Sequence, residues 1–422
     1  MEKLIIHGGT TLSGSINVSG SKNASLPILA AALLTDQPVI VRRVPDVSDT
    51  NYMLQILRAL GCEVERYSGT VKIHAREIHP EAPYDLVRKM RASICVMGPL
   101  LARLGKVSVS IPGGCVIGDR PIDLHLKGLE ALGATIDSSG GNMLIESKNG
   151  LKATKVDLRG KHGPTVLGTD NLIMAAVFVP GTTIIESAAC EPEVEDLANF
   201  LNSLGAKIKG AGTRRIEIEG VTSLGGTDHT FIPDRIEAGT YLVAGAMMGE
   251  GVTLKRINRA HLVSTIEKLT EAGHRLEFSE NNEDVTIYPG DTPQGCNLVT
   301  APFPGFATDM QAQFTAMFAT TPGLSVVEDS IFPQRFMHCA ELGRMGANIK
   351  VDGGSCVIKG VKSLSGAPVM ASDLRASAAL VLAGLRASGT TEVNRLYHLD
   401  RGYEHIDEKL LQLGAKVQRV QG

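Results

Sequence analysis

The chain contains no tryptophan, and only 4% of its 422 residues are aromatic. That removes the stacking platforms a single-strand nucleic-acid binder needs. It has no excess of positive charge either: the formal net charge is −3, which argues against a polyanion or membrane-surface partner while leaving room for a local basic pocket. Apolar runs are short. The longest, such as residues 26–34, fall far below the roughly 18 residues a bilayer span requires. The N-terminal residues lack the cationic stretch, apolar core and cleavage site of a secretory signal. Seven cysteines, at 62, 95, 115, 190, 296, 339 and 356, form no close-spaced pair of the zinc or redox kind. An odd, scattered set fits a reducing compartment, so a cytoplasmic protein is expected.

What is present is repetition. Leu60-Gly61-Cys62, Leu132-Gly133-Ala134, Leu204-Gly205-Ala206, Ala272-Gly273-His274, Met345-Gly346-Ala347 and Leu413-Gly414-Ala415 share one signature, and their glycines recur every 68 to 73 residues. Each glycine reads as the left-handed cap of an amphipathic helix that a strand follows. Upstream of each lies a strand, as at 38–41, 181–185 and 389–393. Before that comes a helix with almost no polar face, expected over 26–34, 92–104, 171–179, 239–248, 312–319 and 376–385. A helix apolar all round belongs inside. The unit is helix, strand, helix, strand, strand, six times over. The last unit lacks its closing strand, and Leu4-Ile5-Ile6-His7 has the look of it. The expected division is therefore three units over 22–232 and three over 233–422 completed by 1–21, at a chain length that favours two cores.

Charged groups gather at two places in the unit. At or just before the buried helices stand Lys22 with Asn23, Arg91, Lys161, Asp234 with Arg235, Asp309, and Asp373 with Arg375. In the strand-to-helix loops stand Asp46 and Asp49, Cys115 with Arg120, Glu191 and Glu193, Arg335, and Asp400 with Arg401. Asp46, Asp49, Asp234 and Asp373 read as helix caps. Cations at a helix N-terminus oppose its dipole unless an anion is there, so Lys22, Arg91 and Arg375 lean towards a ligand role. Six cysteines sit in periodic or strand contexts and read as inert core thiols. Cys115 differs, in Pro112-Gly113-Gly114-Cys115-Val116-Ile117-Gly118-Asp119-Arg120-Pro121, a glycine-rich loop with a cation five residues on. A thiol there is expected to be exposed and reactive.

Several motifs together carry a resemblance over essentially the whole chain. They are Gly20-Ser21-Lys22-Asn23-Ala24, Met90-Arg91-Ala92-Ser93, the Cys115 loop with Ile122-Asp123-Leu124-His125, and Thr308-Asp309-Met310-Gln311. With them go Arg335-Phe336-Met337-His338, Asp373-Leu374-Arg375 and His398-Leu399-Asp400-Arg401-Gly402-Tyr403. The chain resembles the enolpyruvyl transferases of the EPSP synthase family that act on UDP-N-acetylglucosamine. The resemblance implies an α/β fold of two inside-out barrels, each of three units, with helices within, sheets outside and a cleft between. It implies transfer of enolpyruvate from phosphoenolpyruvate to the sugar 3-hydroxyl with release of phosphate, the committed step of peptidoglycan synthesis. No metal or organic cofactor, nucleic acid or membrane partner is implied; the partners are the two small-molecule substrates.

Carried over by motif, Lys22, Arg120 and Arg401 resemble the cations that hold phosphoenolpyruvate, with Asn23 beside them. Cys115 resembles the group that protonates the methylene carbon, can form a phospholactoyl adduct and is alkylated by fosfomycin. Asp309 resembles the carboxylate on the sugar hydroxyl and its general base. Arg91, Pro121, Ile122, Asp123, Leu124, Lys161 and Ile331 resemble nucleotide-sugar contacts, and Arg375 helps hold the site electrostatically. Two segments depart from the family pattern: 161–169, which includes Pro164, and Phe332-Pro333-Gln334. The sister enzymes that use shikimate 3-phosphate have a Ser-Lys-Ser type first loop and no reactive cysteine at this place, so Lys22-Asn23 and Cys115 speak against them. A non-catalytic six-unit clamp and a thiol hydrolase built on Cys115 compete with the transferase reading. Phosphate release tests the first, and no histidine is marked as base for the second.

Overall fold

The computed structural model describes residues 2–110, 121–139, 141–161 and 163–421. Among these, residues 20–110 with 121–232 form one compact unit, and 2–19 with 233–421 form the other.

In the first unit the innermost helices are Lys22–Ala31, the 3₁₀ turn Arg91–Val96 running into Met97–Leu104, and Val166–Ala176. From Ala24 to Ala31 and from Gly168 to Ala176 every residue is buried. The second and third of these helices approach closely at Gly98, where a Cβ would stand 2.3 Å from the Asn171 carbonyl oxygen. Asn171 exploits the approach: its Oδ1 accepts the Gly98 N–H at 2.8 Å, and its Nδ2 donates to the Ile94 carbonyl at 3.1 Å. In the second unit the corresponding helices are Arg235–Met248, Gln311–Phe318 after the 3₁₀ turn Thr308–Met310, and Leu374–Arg386. Several helices begin earlier than apolar content indicates, because a polar cap lies upstream. Ser21, Thr165, Asp234 and Asp373 each accept backbone N–H groups of the first turn.

Amphipathic helices Ser48–Ala59, Asp123–Ala131, Pro192–Ser203, Val263–Glu271, Met337–Arg344 and Ile406–Gln412 follow the first strand of each repeat. The six signature glycines beyond their ends all have positive φ, between 88° and 107°, a conformation a Cβ resists.

Each repeat forms an antiparallel sheet, and a segment running on from one sheet pairs in parallel with the next. Lys155–Asp157 pairs with Thr182–Glu186, and Thr227–Thr230 returns to Val39–Arg42. A single bridge between Glu81 and Ser108 makes the remaining link. The second unit does the same: Leu298–Val299 pairs with Leu324–Glu328, Pro368–Met370 with Thr390–Asn394, and Leu12–Asn17 with Gly249–Lys255. Its third sheet is completed by Glu2–His7, antiparallel to both Thr390–Asn394 and Lys416–Gln421. Alternation along the strands, as in buried Val39 and Val41, sends one face to the helices.

Five of the described cysteines are buried, and Cys190 is half-buried rather than a core thiol. Burial pushes the Cys62 thiol up to about 12 and Cys296 to about 11, which suits inert thiols.

Candidate functional site

Asp373 caps helix Leu374–Arg386, accepting the N–H groups of Arg375 at 2.9 Å and Ala376 at 3.1 Å. The cap fixes Arg375 in the first turn, where its side chain is 2% exposed. A cation buried at a helix N-terminus is doubly costly. An anion answers it: Arg375 Nη2 donates to Asp309 Oδ2 at 3.0 Å. The guanidinium also lies over the Tyr403 ring, 5.3 Å from its centroid. Burial alone would lower the Arg375 pKa, but Asp309 and Tyr403 outweigh it and hold it raised.

The other Asp309 oxygen takes a second guanidinium. Arg335, 5% exposed, donates from Nη1 to Asp309 Oδ1 at 2.8 Å and to Thr308 Oγ1 at 3.1 Å. Asp309 keeps 27% side-chain exposure, so one carboxylate meets two enclosed cations and still presents a face outward. Its backbone is fixed as well. Gln313 Nε2 donates to the Asp309 carbonyl at 2.9 Å and reaches Thr240 Oγ1 and the Tyr403 hydroxyl at 3.0 and 3.2 Å. Such a carboxylate can accept a proton from a hydroxyl placed against it without moving.

Arg401 ends the 3₁₀ helix Leu396–Arg401. Its neighbour Asp400 is gripped by both Arg419 nitrogens at 2.8 and 3.0 Å, and Arg419 also reaches Glu2 at 3.1 Å. The His398 pKa is lowered, first by burial and then by Arg401. Ile331 follows strand Leu324–Glu328, its N–H held by Asp329.

In the other unit, Lys22 opens a helix capped by Ser21 and lies 2.8 Å from Asp49 Oδ2. Asp49 is 1% exposed in the first turn of Ser48–Ala59, and Val47 occupies the cap position. Asp49 is thus a counter-charge for Lys22, not a helix cap. Asp46 is not one either: it accepts Asn51 Nδ2 at 3.0 Å and pairs with Arg66 at 3.3 Å. Asp234 and Asp373 do cap. Asn23 and Arg91 are half-buried at the starts of their helices. Pro121 and Ile122 lead into Asp123–Ala131, which begins with Asp123 and Leu124. Lys161 is exposed beside a two-residue ladder in which Pro164 faces Arg159 and Gly163 faces Gly160. Cys115 and Arg120 lie outside the described residues.

In sequence Arg335 stands in a polar loop with no marked partner, and Thr308, Gln313, Tyr403 and Asp329 have no separate role. Arg335 and Asp309 are 26 residues apart and Arg375 and Asp309 are 66, distances at which no local pattern signals a pair. Asp329 did carry a signal, an acidic residue followed by serine where strand alternation stops.

Against known proteins, the family model described as EPSP synthase (3-phosphoshikimate 1-carboxyvinyltransferase) matches residues 6–410. The chain belongs to the EPSP synthase family. Within that family it is 66% identical over 420 residues to the UDP-N-acetylglucosamine 1-carboxyvinyltransferase of Akkermansia muciniphila, covering 100% of this chain and 99% of the relative. To the protein of the same name from Methylacidiphilum infernorum it is 55% identical over 420 residues, with the same coverage. Among solved structures, the enolpyruvyl transferase NikO from Streptomyces tendae superposes with a TM-score of 0.90 at 26% identity, covering 100% of this chain and 99% of that one. An EPSP synthase from Acinetobacter baumannii shares the fold, with a TM-score of 0.76 at 20% identity over the whole of both chains. Among the described residues no helix is long and apolar enough to cross a membrane, and no group of three or more His, Cys, Asp or Glu is disposed to hold a metal.

Proposed function

We propose that this chain transfers the enolpyruvyl group of phosphoenolpyruvate to the 3-hydroxyl of UDP-N-acetylglucosamine and releases phosphate, the committed step of peptidoglycan synthesis in the cytoplasm. The observation that carries the reading is Asp309, one partly open carboxylate fixed by two enclosed guanidiniums. It occurs in a chain 66% identical, end to end, to a protein named for that reaction. Each unit, with apolar helices and outer sheets linked in a cycle, is read as an inside-out α/β barrel.

Asp309 takes the proton of the 3-hydroxyl as the oxygen attacks the central carbon of phosphoenolpyruvate, while Cys115 adds a proton to the methylene carbon. The C–O bond formed gives a tetrahedral intermediate. Loss of a proton from its new methyl group and departure of phosphate restore the double bond. Lys22, Arg120 and Arg401 hold phosphate and carboxylate, offsetting the repulsion between two polyanions, with Asn23 beside Lys22. Arg91, the segment from Pro121 to Leu124, Lys161 and Ile331 contact the nucleotide sugar. Arg375 acts through Asp309.

The test is phosphate release on mixing protein, phosphoenolpyruvate and UDP-N-acetylglucosamine, with shikimate 3-phosphate in a parallel arm. Release that needs the UDP-sugar supports the reading. Release only with shikimate 3-phosphate, or none in either arm, defeats it.

A further inference from the structure

Asp329 is 1% exposed and stands just beyond strand Leu324–Glu328. Its Oδ1 accepts Thr300 Oγ1 at 2.8 Å, the Ile331 N–H at 3.0 Å and the Phe332 N–H at 2.8 Å. Its Oδ2 accepts Thr308 Oγ1 at 2.6 Å. All four of these donors are neutral, so among the described residues hydrogen bonds alone hold this buried carboxylate, with no guanidinium or ammonium directly on it.

The Thr308 hydroxyl has one proton, and Asp329 receives it. Its lone pair is left to accept Arg335 Nη1 at 3.1 Å, and the same nitrogen donates to Asp309 Oδ1 at 2.8 Å. The chain of donors is therefore polarised in one direction, from Arg335 through Thr308 to Asp329. We infer that Asp329 is a positioning residue for the proposed transfer. Through Thr308 and Arg335 it sets the Asp309 carboxylate, and through the Ile331 and Phe332 amides it sets the segment assigned to the nucleotide sugar. One buried carboxyl group thus couples the base to the substrate-binding loop. The inference rests on the functional reading above.

Asp329→Asn separates the two arms, because it is isosteric. The amide oxygen can keep the Ile331 and Phe332 N–H groups, but its NH₂ then faces Thr308 and forces that hydroxyl to accept from two donors. A reacting group misplaced on the ångström scale costs up to about a hundredfold. Asp329→Asn is expected to lower kcat by about 10- to 100-fold, with the KM for UDP-N-acetylglucosamine held within about threefold. Thr308→Val should lower kcat comparably, and the double variant should lose no more than about twofold beyond either single one. Asp329→Ala releases the loop as well, raising that KM and speeding amide hydrogen exchange at Ile331 and Phe332.

Wild-type kcat in Asp329→Asn with only a lowered melting temperature would overturn the inference, as would multiplicative losses in the double variant. The exchange arm is read on protein without substrate. If the wild-type chain releases no phosphate, the functional reading fails, while unchanged exchange in Asp329→Ala still overturns this one. Should Asp329→Ala not fold, the same exchange comparison is made on Asp329→Asn, where retained protection at both amides is required.

Discussion

His274 follows the signature glycine of the fourth repeat, where the other repeats place Cys62, Ala134, Ala206, Ala347 and Ala415. The ring is 6% exposed, and burial lowers its pKa from 6.5 to about 4. Geometry gives the same direction. The Gly290 N–H donates to Nδ1 at 3.3 Å, so protonating Nδ1 would set two donors against each other, and no described residue accepts from Nε2. Between pH 4 and 6.5 the unfolded ring therefore binds more protons than the folded one, and stability rises with pH through that window. At 1.36 kcal/mol per pKa unit, His274 costs the fold about 2 kcal/mol on going from pH 7 to pH 5. His274→Asn keeps an acceptor near the Nδ1 position and cannot titrate. Urea unfolding of both proteins at pH 7 and pH 5 should show the gap between them move by about 2 kcal/mol in favour of the variant at pH 5. Parallel losses in the two proteins would refute the reasoning.

Four further outcomes are expected. Asp309→Asn should lower kcat by about 10² to 10⁴, the range of a lost general base, read from phosphate release. Arg375→Ala should destabilise its unit by about 3 kcal/mol or more in urea melts, since it breaks an enclosed ion pair and opens a cavity. Asp373→Ala, which removes a cap on two N–H groups, should cost about 1 kcal/mol by the same measurement. Arg419→Ala should cost about 2 kcal/mol and raise the KM for phosphoenolpyruvate more than it lowers kcat, because it releases Asp400 beside Arg401.

The repeats were readable because each is local: a glycine at positive φ closes every amphipathic helix, and six apolar helices have no other place to go. Caps were readable only in part. Asp234 and Asp373 satisfy adjacent N–H groups, but Asp49, equally near a helix start, turns to Lys22, 27 positions away in sequence. The pairing of Arg335 and Arg375 on Asp309 depends on which helices lie side by side, and a charge pattern along the chain does not encode that. Asp329 was harder still. Its four donors among the described residues come from three separate stretches, and a buried carboxylate held by neutral groups looks in sequence like a turn residue.

The strand Glu2–His7 meets partners 389 residues further along the chain, with Lys3 reaching Glu392. At a synthesis rate of roughly 5–20 residues per second, that strand waits on the order of 20–80 s before Thr390–Asn394 leaves the ribosome. Until then Leu4 and Ile6, both fully buried in the finished protein, belong to an unpaired strand with nothing to cover it. Residues 20–232, a single stretch of sequence, can finish folding meanwhile. The growing chain thus keeps an open seam in the third sheet of its second unit until Thr390–Asn394 and Lys416–Gln421 have been made.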